Sequence, residues 1–396
     1  MIPAFAAYGI ELEYMLVDCD RLDVAPIADE VLERSMSLER GELGWSNELV
    51  LHVLELKNPR PSAALGELAA RFQHEVRGMN RALAPKGVRL MPSGMHPWMD
   101  PVREAKLWPH GNSAVYRAYD RIFDCRRHGW ANVQAMHVNL PFANDEEFAR
   151  LHAAVRLVLP ILPAIAASSP FAEGKSAPAL DYRMAVYCEN AASIRELNGE
   201  LIPQPVSSRD EYEREILAPL YRAIEPHDSE ALLRHEWLNA RGAIPRFDRN
   251  ALEIRVLDMQ ECPAVDVALA AAVIDLVRSL YEEPRPHDIP TAELAAIFGT
   301  CVRDAERATI TSPRYLASLG IEGQKCSAQA LWQALLERAA GSGRALWEPT
   351  LTFVLRRGPL ARRLLAAAGT QPSHEALAAV YAELCECLHD GRPFDP

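Results

Sequence analysis

Apolar and polar residues alternate along several short segments of the chain, and this period of two predicts β-strands. Residues 10–17 begin with such an alternation, and residues 49–57 repeat it until Asn58 and Pro59 end the segment. Three further segments are predicted to be strands: residues 88–95, 134–140 and 251–257.

Apolar residues at three- and four-residue steps predict helices over residues 62–84 and 146–167, and helix dominates from residue 264 to the end. Strands followed by helices, without regular strand–helix alternation, indicate an α+β fold with a mostly antiparallel sheet. We therefore predict two parts, a sheet-containing domain at residues 1–282 and a helical C-terminal region at residues 283–396.

The amino-acid composition argues against nucleic acids and membranes as binding partners. The 396 residues include 54 acidic and 42 basic side chains, so the net charge is −12, which disfavours a nucleic-acid partner. No apolar segment reaches the roughly 20 residues that a membrane span requires. The first 17 residues do not resemble a signal peptide, and the eight cysteines lack ligand-like spacing. We expect a cytoplasmic protein with reduced thiols and no membrane partner.

Carboxylates on the predicted strands are the main chemical signal. Glu11 and Glu13 are two residues apart, so both side chains point to one face of a strand. Like charges on a buried face are costly unless a cation compensates them. Five more charged or titratable side chains lie on or beside predicted strands: Glu48, Glu55, His137, Glu253 and Arg255.

Oxygen ligands of this kind suit hard divalent cations such as Mg²⁺, and an arginine beside them suits a phosphoryl group. Together they favour a metal-assisted site for a nucleoside triphosphate. The simpler alternative is a solvent-facing sheet that carries many glutamates.

Six segments, in the same order along the chain, resemble the carboxylate–amine ligases of the glutamate–cysteine ligase superfamily. They are GIELEYMLVD at residues 9–18, residues 48–59, SGMHPW at 93–98, MHVN at 136–139, SSPFAEG at 168–174 with DYR at 181–183, and ARGAIPR at 240–246 leading to LEIRVLD at 252–258. Asn139 stands where the family often has a second histidine.

The resemblance implies a glutamine-synthetase-like catalytic sheet within residues 1–282 and ATP-dependent ligation through an acyl-phosphate. It implies a small-molecule acid and amine as substrates, glutamate and cysteine for example, and a place in glutathione biosynthesis. Two or three Mg²⁺ ions would be needed, with Mn²⁺ as an alternative. By resemblance the metal ligands are Glu11, Glu13, Glu48, Glu55 and Glu253, with His137 binding a metal or ATP phosphate.

The resemblance also assigns arginines. Arg246 and Arg255 would stabilise the γ-phosphate and the acyl-phosphate, while Arg183 and Arg241 would contact a substrate carboxylate or the nucleotide. Arginine suits these roles because its guanidinium binds carboxylate and phosphate through two parallel hydrogen bonds. Trp130 is interpreted as a core residue.

Two other functions fit the same residues. The related guanidino kinases share this sheet architecture, so one alternative is a phosphotransferase; the other is a nucleotide-binding protein without catalytic activity. The C-terminal helices carry no chemical motif, and their possible functions are to cover the site, to complete the core or to form a homodimer. Arg362 and Arg363 are predicted to lie on a solvated helix face.

Overall fold

A computed structural model describes residues 1–35, 43–283, 288–339 and 343–396. Seven strands form the main sheet: β1 Gly9–Asp18, β2 Gly44–Asn47, β3 Val53–Lys57, β4 Val88–Met91, β5 Ala135–Pro141, β8 Ala243–Arg246 and β9 Ala251–Asp258. Two small hairpins pair β6 Phe171–Ala172 with β7 Lys175–Ser176, and β10 Thr309–Ile310 with β11 Cys326–Ser327. The main sheet runs β2-β3-β1-β5-β9-β8, β4 also pairs with β1, and every pairing is antiparallel.

Helices fill the connections and most of the last third of the described chain. They are α1 Ala28–Ser35, α2 Leu65–Leu83, α3 Pro101–Glu104, α4 Ser113–Phe123, α5 His128–Ala131, α6 Asp145–Val158, α7 Pro163–Ala166, α8 Tyr182–Tyr187, α9 Arg209–Tyr212, α10 Ala218–Ile224, α11 Pro263–Glu282, α12 Thr291–Asp304, α13 Pro313–Ser318, α14 Ala328–Arg338, α15 Arg344–Arg357, α16 Leu360–Ala368 and α17 His374–Asp390. The α+β prediction is therefore confirmed. None of the described helices is long and apolar enough to cross a membrane.

Several element boundaries differ from the prediction, and the strand predicted at residues 88–95 ends at Met91. The strand predicted at residues 49–57 begins only at Val53, because residues 51 and 52 form a turn. The segment at 240–246, expected as an arginine-bearing loop, contains β8. The helix predicted at 146–167 breaks after Val158 into a 3-10 turn and α7, since Pro160 and Pro163 cannot donate the helical hydrogen bonds.

The two faces of the main sheet differ in chemistry. One face carries buried apolar side chains such as Leu12, Leu56 and Val138, and these join α2, α6 and α11 in one hydrophobic cluster. The opposite face carries the charged residues, because successive side chains of a strand point to opposite sides. The main sheet thus has one apolar face that packs against the helices and one polar face.

A β-bulge changes which residues of β9 lie on the polar side. Asn139 pairs with Glu253 and Ala135 pairs with Asp258, so β9 has one more residue than β5 between these two pairs. Directly opposite residues share a face. Glu253 and Asp258 therefore both lie on the polar side, although they are five residues apart.

The C-terminal helices pack directly on the rest of the chain. Gln73 and Arg77 of α2 donate to main-chain carbonyls at the end of α17, and one hydrophobic cluster contains residues from Tyr8 to Leu388. The division at residue 282 stays a prediction.

The prediction of a solvated helix face is wrong for Arg363, which is 2% exposed and donates from Nη1 to Oε1 of Glu261 at 2.6 Å.

Candidate active site

The polar side of the sheet is the floor of a cavity of about 830 Å³. Strand register brings the predicted side chains together there: Glu11 lies opposite Lys57 on one side and His137 on the other, and Glu13 lies opposite Glu55. These pairs face the same side because opposed residues in an antiparallel ladder share a face.

The first cluster consists of Glu11, Glu55 and His137. Each offers one ligand atom, and the three atoms lie within 4.8 Å of one another. Nδ1 of His137 lies 3.4 Å from Oε2 of Glu11, and Nδ2 of Asn139 donates to the other carboxylate oxygen at 3.1 Å. Burial alone would raise the pKa of Glu11, but the hydrogen bond and charge of His137 hold this pKa below its usual value.

The second cluster consists of Glu13, Glu48 and Glu55, again with one ligand atom each within 4.8 Å. The amide N–H of Ala135 donates to Oε2 of Glu13 at 2.7 Å. Burial and the charge of Glu11 raise the pKa of Glu55 to about 7. Burial and the charges of Glu55 and Glu13 raise the pKa of Glu48 well above its usual value. The carboxylates therefore repel one another in the protein alone.

These donor sets fit hard divalent cations. Around Mg²⁺, with oxygen distances of about 2.1 Å, ligand atoms lie about 3 to 4 Å apart, which small side-chain rotations would achieve here. A cation between the carboxylates would also remove the repulsion that raises their pKa values. Glu55 belongs to both clusters, so it could bridge two ions.

Two arginines flank Glu253 on the same floor. Nε of Arg255 lies 3.1 Å from Oε1 of Glu253, and Nη1 of Arg246 lies 3.4 Å from Oε2. All three residues line the cavity. Glu253 is outside both three-residue clusters of the described chain and is held instead by the two guanidinium groups.

Arg183 lies deeper in the cavity wall and is 2% exposed. Its Nε donates to Oδ1 of Asp258, which is completely buried. The other oxygen of Asp258 accepts from the N–H of Ser168 and from Oγ of Ser169, each at 2.8 Å. Burial would lower the pKa of Arg183, but the Asp258 carboxylate raises it. The SSPF…DYR resemblance thus corresponds to a hydrogen-bonded support for one arginine.

The profile of glutamate–cysteine ligase family 2 (GCS2) matches residues 7–383. This chain belongs to glutamate–cysteine ligase family 2. Family membership confirms the resemblance drawn from the six segments, and it supports an ATP-dependent carboxylate–amine ligase.

Individual relatives match a shorter part of this chain than the family profile does. A protein of Archaeoglobus fulgidus named "Uncharacterized protein" is 37% identical over 280 residues, which are 69% of this chain and 75% of that protein. A "Putative glutamate–cysteine ligase 2-3" of Rubrobacter xylanophilus is 30% identical over 286 residues, 71% of each chain. A "Putative glutamate–cysteine ligase 2" of Bradyrhizobium sp. (strain ORS 278) is 27% identical over 288 residues, 71% of this chain but 64% of that protein.

Among solved structures, the complex between the prokaryotic ubiquitin-like protein Pup and its ligase PafA matches with a TM-score of 0.42 and 13% identity. The match covers 98% of this chain and 65% of that chain.

One residue that the family resemblance singled out lies away from the cavity of this GCS2 chain. Arg241 is 3% exposed and is not among the residues that line the cavity. Its guanidinium donates to Gln204 at 2.9 Å, to Asn239 at 3.0 Å and to the carbonyl of Glu196 at 3.1 Å. The predicted contact of Arg241 with a substrate carboxylate or the nucleotide stays a prediction, and in the structure its guanidinium is used for internal hydrogen bonds.

The structure also reveals lining residues that the sequence did not single out. Lys57 pairs with Glu55, and Oγ of Ser46 donates to the same carboxylate at 2.7 Å. Their positions opposite Glu11 and Glu55 follow from strand register, which one sequence does not contain. Trp130, interpreted as a core residue, lines the cavity, and its ring lies 5.2 Å from that of Tyr119.

Proposed function

We propose that this protein is an ATP-dependent ligase that joins a carboxylate to an amine through an acyl-phosphate. The proposed acid is glutamate, reacting at its γ-carboxylate, and the amine is that of a second amino acid such as cysteine. The observation that carries the proposal is the pair of carboxylate clusters beside Arg246 and Arg255 on one cavity floor. Membership of a ligase family supports it independently.

In this proposal Glu11, Glu55 and His137 hold one Mg²⁺ ion and Glu13, Glu48 and Glu55 hold another, with Mn²⁺ as an alternative. The bound cations would neutralise the triphosphate and leave its γ-phosphorus open to attack. As an alternative to binding a metal ion, His137 would contact ATP phosphate. A third ion would need further ligands, for which Glu253 is the predicted donor. Glu253 would then have to release one of its two arginines.

The reaction we propose has two displacements. The substrate carboxylate attacks the γ-phosphorus and ADP leaves; the amine then attacks the acyl carbon, loses a proton and expels phosphate. In this proposal Arg246 and Arg255, which both line the cavity, stabilise the charge on the transferring phosphoryl group. Arg183, supported by Asp258, offers its cation to a substrate carboxylate from the deeper wall.

The test compares purified wild type with Glu13→Gln and Arg255→Ala in Mg²⁺, ATP, glutamate and a panel of amino acids and amines. Product mass and phosphate release are measured together. We expect an amide and stoichiometric phosphate from wild type, and at least a hundredfold loss of kcat/KM in both variants. Glu375→Gln and Arg222→Ala change exposed residues and should retain the wild-type rate.

Three results would contradict the ligase proposal. Full activity in Glu13→Gln or Arg255→Ala would remove these residues from the mechanism. ADP formed with a stable phosphorylated product and no free phosphate would indicate a phosphotransferase. Tight Mg·ATP binding without turnover in the presence of any acid and amine would indicate a non-catalytic nucleotide-binding protein.

We further infer a cytoplasmic location, in line with eight cysteines that are all free, and a homodimer. If cysteine is the preferred amine, the reaction belongs to glutathione biosynthesis. Multi-angle light scattering of the full chain tests the dimer, and a mass of 44.0 kDa would contradict it.

A further inference from the structure

Gln134 is a buried glutamine in the wall of the cavity. Its side chain has no measurable exposure, and it is one of the lining residues. Neither Oε1 nor Nε2 has a hydrogen-bond partner within the described part of the chain. An unpaired buried amide costs free energy, so a residue that keeps one in a cavity wall points to a ligand that pairs with it.

Two main-chain hydrogen bonds fix the position of Gln134. Its N–H donates to the carbonyl of Gly94 at 2.9 Å, and its carbonyl accepts from the N–H of Met259 at 3.4 Å. The next residue, Ala135, donates its N–H to Glu13. Gln134 is therefore fixed immediately before β5, next to Ala135, whose N–H contacts the carboxylate cluster.

We propose that Gln134 is a specificity-determining residue that binds the α-amino-acid head group of a substrate, an inference that rests on the proposed ligase function. A carboxamide has one acceptor and one donor group, and a zwitterionic head group has the complementary pair. Oε1 accepts a hydrogen bond from the substrate ammonium, and Nε2 donates one to the substrate α-carboxylate.

The charges around Gln134 favour a zwitterion over a neutral ring. Glu13 accepts from Ala135, and Ala135 lies opposite Asp258, the partner of Arg183. A buried anion and a buried cation thus approach the same end of β5. An adenine edge could also pair with an amide, but the aromatic lining residues that suit a planar base come from elsewhere: Tyr119 from α4, Trp130 from α5, and Trp237 from the segment before β8.

The test measures binding, so it does not require turnover. Calorimetry of the full chain with Mg²⁺ and a non-hydrolysable ATP analogue compares L-glutamate with glutarate, which lacks the ammonium, and with 4-aminobutanoate, which lacks the α-carboxylate. Wild type should bind L-glutamate at least tenfold more tightly than either analogue. Gln134→Met, which keeps the size and removes the amide, should weaken L-glutamate binding about tenfold and change glutarate binding twofold or less.

Two controls identify the cause of any change. Gln333→Met makes the same substitution at an exposed position of α14 and should behave as wild type. Gln134→Met should be at least as stable to urea as wild type, because it removes an unpaired buried amide. A purely structural glutamine would instead give a destabilised variant with unchanged ligand selectivity.

Each contrary result overturns the proposal. The contrary results are equal affinity of wild type for L-glutamate and glutarate, no binding of L-glutamate to wild type, and a Gln134→Met variant that loses affinity for the ATP analogue while retaining its affinity for L-glutamate. If wild type binds L-glutamate selectively through Gln134 but forms no amide, the ligase proposal fails and the assignment of Gln134 stands.

Discussion

The Nε atom of Arg183 donates to Oδ1 of Asp258 in a buried ion pair in the wall of the cavity. Asp181 is a second buried carboxylate nearby, and burial together with the charge of Asp258 raises its pKa well above the usual value. The positive charge of Arg183 therefore acts on two buried carboxyl groups, those of Asp258 and Asp181. Because Asp258 lies opposite Ala135, the pair also supports the strand end that holds Glu13.

Replacing Arg183 by methionine should be strongly destabilising, because Asp258 would remain buried without a cation. We expect the free energy of unfolding in urea to fall by about 3–5 kcal/mol, the usual effect of breaking a buried pair from one side. Arg209→Met removes an exposed pair with Glu213 and should cost less than about 1 kcal/mol. Equal losses in the two variants would show that the buried Arg183–Asp258 pair stabilises the protein no more than the exposed Arg209–Glu213 pair does.

Glu48→Gln should separate stability from metal binding. The substitution removes an ionisable carboxyl group whose charged form is disfavoured by burial and by neighbouring carboxylates, so the metal-free variant should unfold at an equal or higher urea concentration than wild type. Mg²⁺ should stabilise wild type by about 2.7 kcal/mol at 100 times its Kd, and should stabilise the variant less. The measurement is urea unfolding with and without Mg²⁺. Identical Mg²⁺ effects in both proteins would exclude Glu48 as a ligand.

Substitution of Arg241 should mainly reduce stability, whereas substitution of Arg255 should mainly reduce catalysis. Arg241→Met leaves Gln204 and Asn239 without their donor, so we expect about 2–4 kcal/mol lower stability but little change in kcat per folded molecule. Arg255→Met should largely retain its fold, since this side chain is 25% exposed, and should lose catalysis. Activity normalised to the folded fraction from circular dichroism decides between them. A catalytic loss confined to Arg241→Met would reverse the two assignments.

Three buried histidines predict a loss of stability in mild acid. Burial lowers the pKa of His152 to about 3 and the pKa values of His52 and His96 to about 4. In the unfolded chain these groups take up protons below about pH 6.5, whereas in the folded protein they stay neutral. The free energy of unfolding should therefore decrease as the pH falls from 6.5 to 5, by about 1.5 kcal/mol for each histidine.

His152 tests this pH dependence directly. Its ring packs near Phe148 and Tyr212, and neither nitrogen has a partner in the described residues. Between pH 6.5 and 5, the free energy of unfolding of His152→Phe should decrease by about 1.5 kcal/mol less than that of wild type. His74→Phe, at an exposed position, should follow the wild-type pH profile. An unchanged profile in His152→Phe would mean that His152 takes up a proton without unfolding.

Local periodicity was sufficient for the central part of the site. The two-residue spacing of Glu11 and Glu13 determines that they share a face, because side-chain direction on a strand depends only on neighbouring backbone. His137 and Glu55 follow the same rule on their own strands. The sequence therefore predicted the α+β fold and which side chains form the floor of the cavity, and strand register confirms their convergence.

Tertiary structure decided what depends on distant segments. The bulge opposite β5 places Asp258 on the face of Glu253, and no periodicity within β9 predicts that extra residue. Arg241 and Arg246 are similar in sequence context, yet Arg241 is hydrogen-bonded to Gln204 and Asn239 whereas Arg246 lines the cavity. Arg363 was predicted to be solvated, but it is buried and donates a hydrogen bond to Glu261, which lies about 100 residues earlier in the sequence. Hydrogen-bond partners and burial are properties of chain segments brought together by folding, so a sequence by itself cannot determine them.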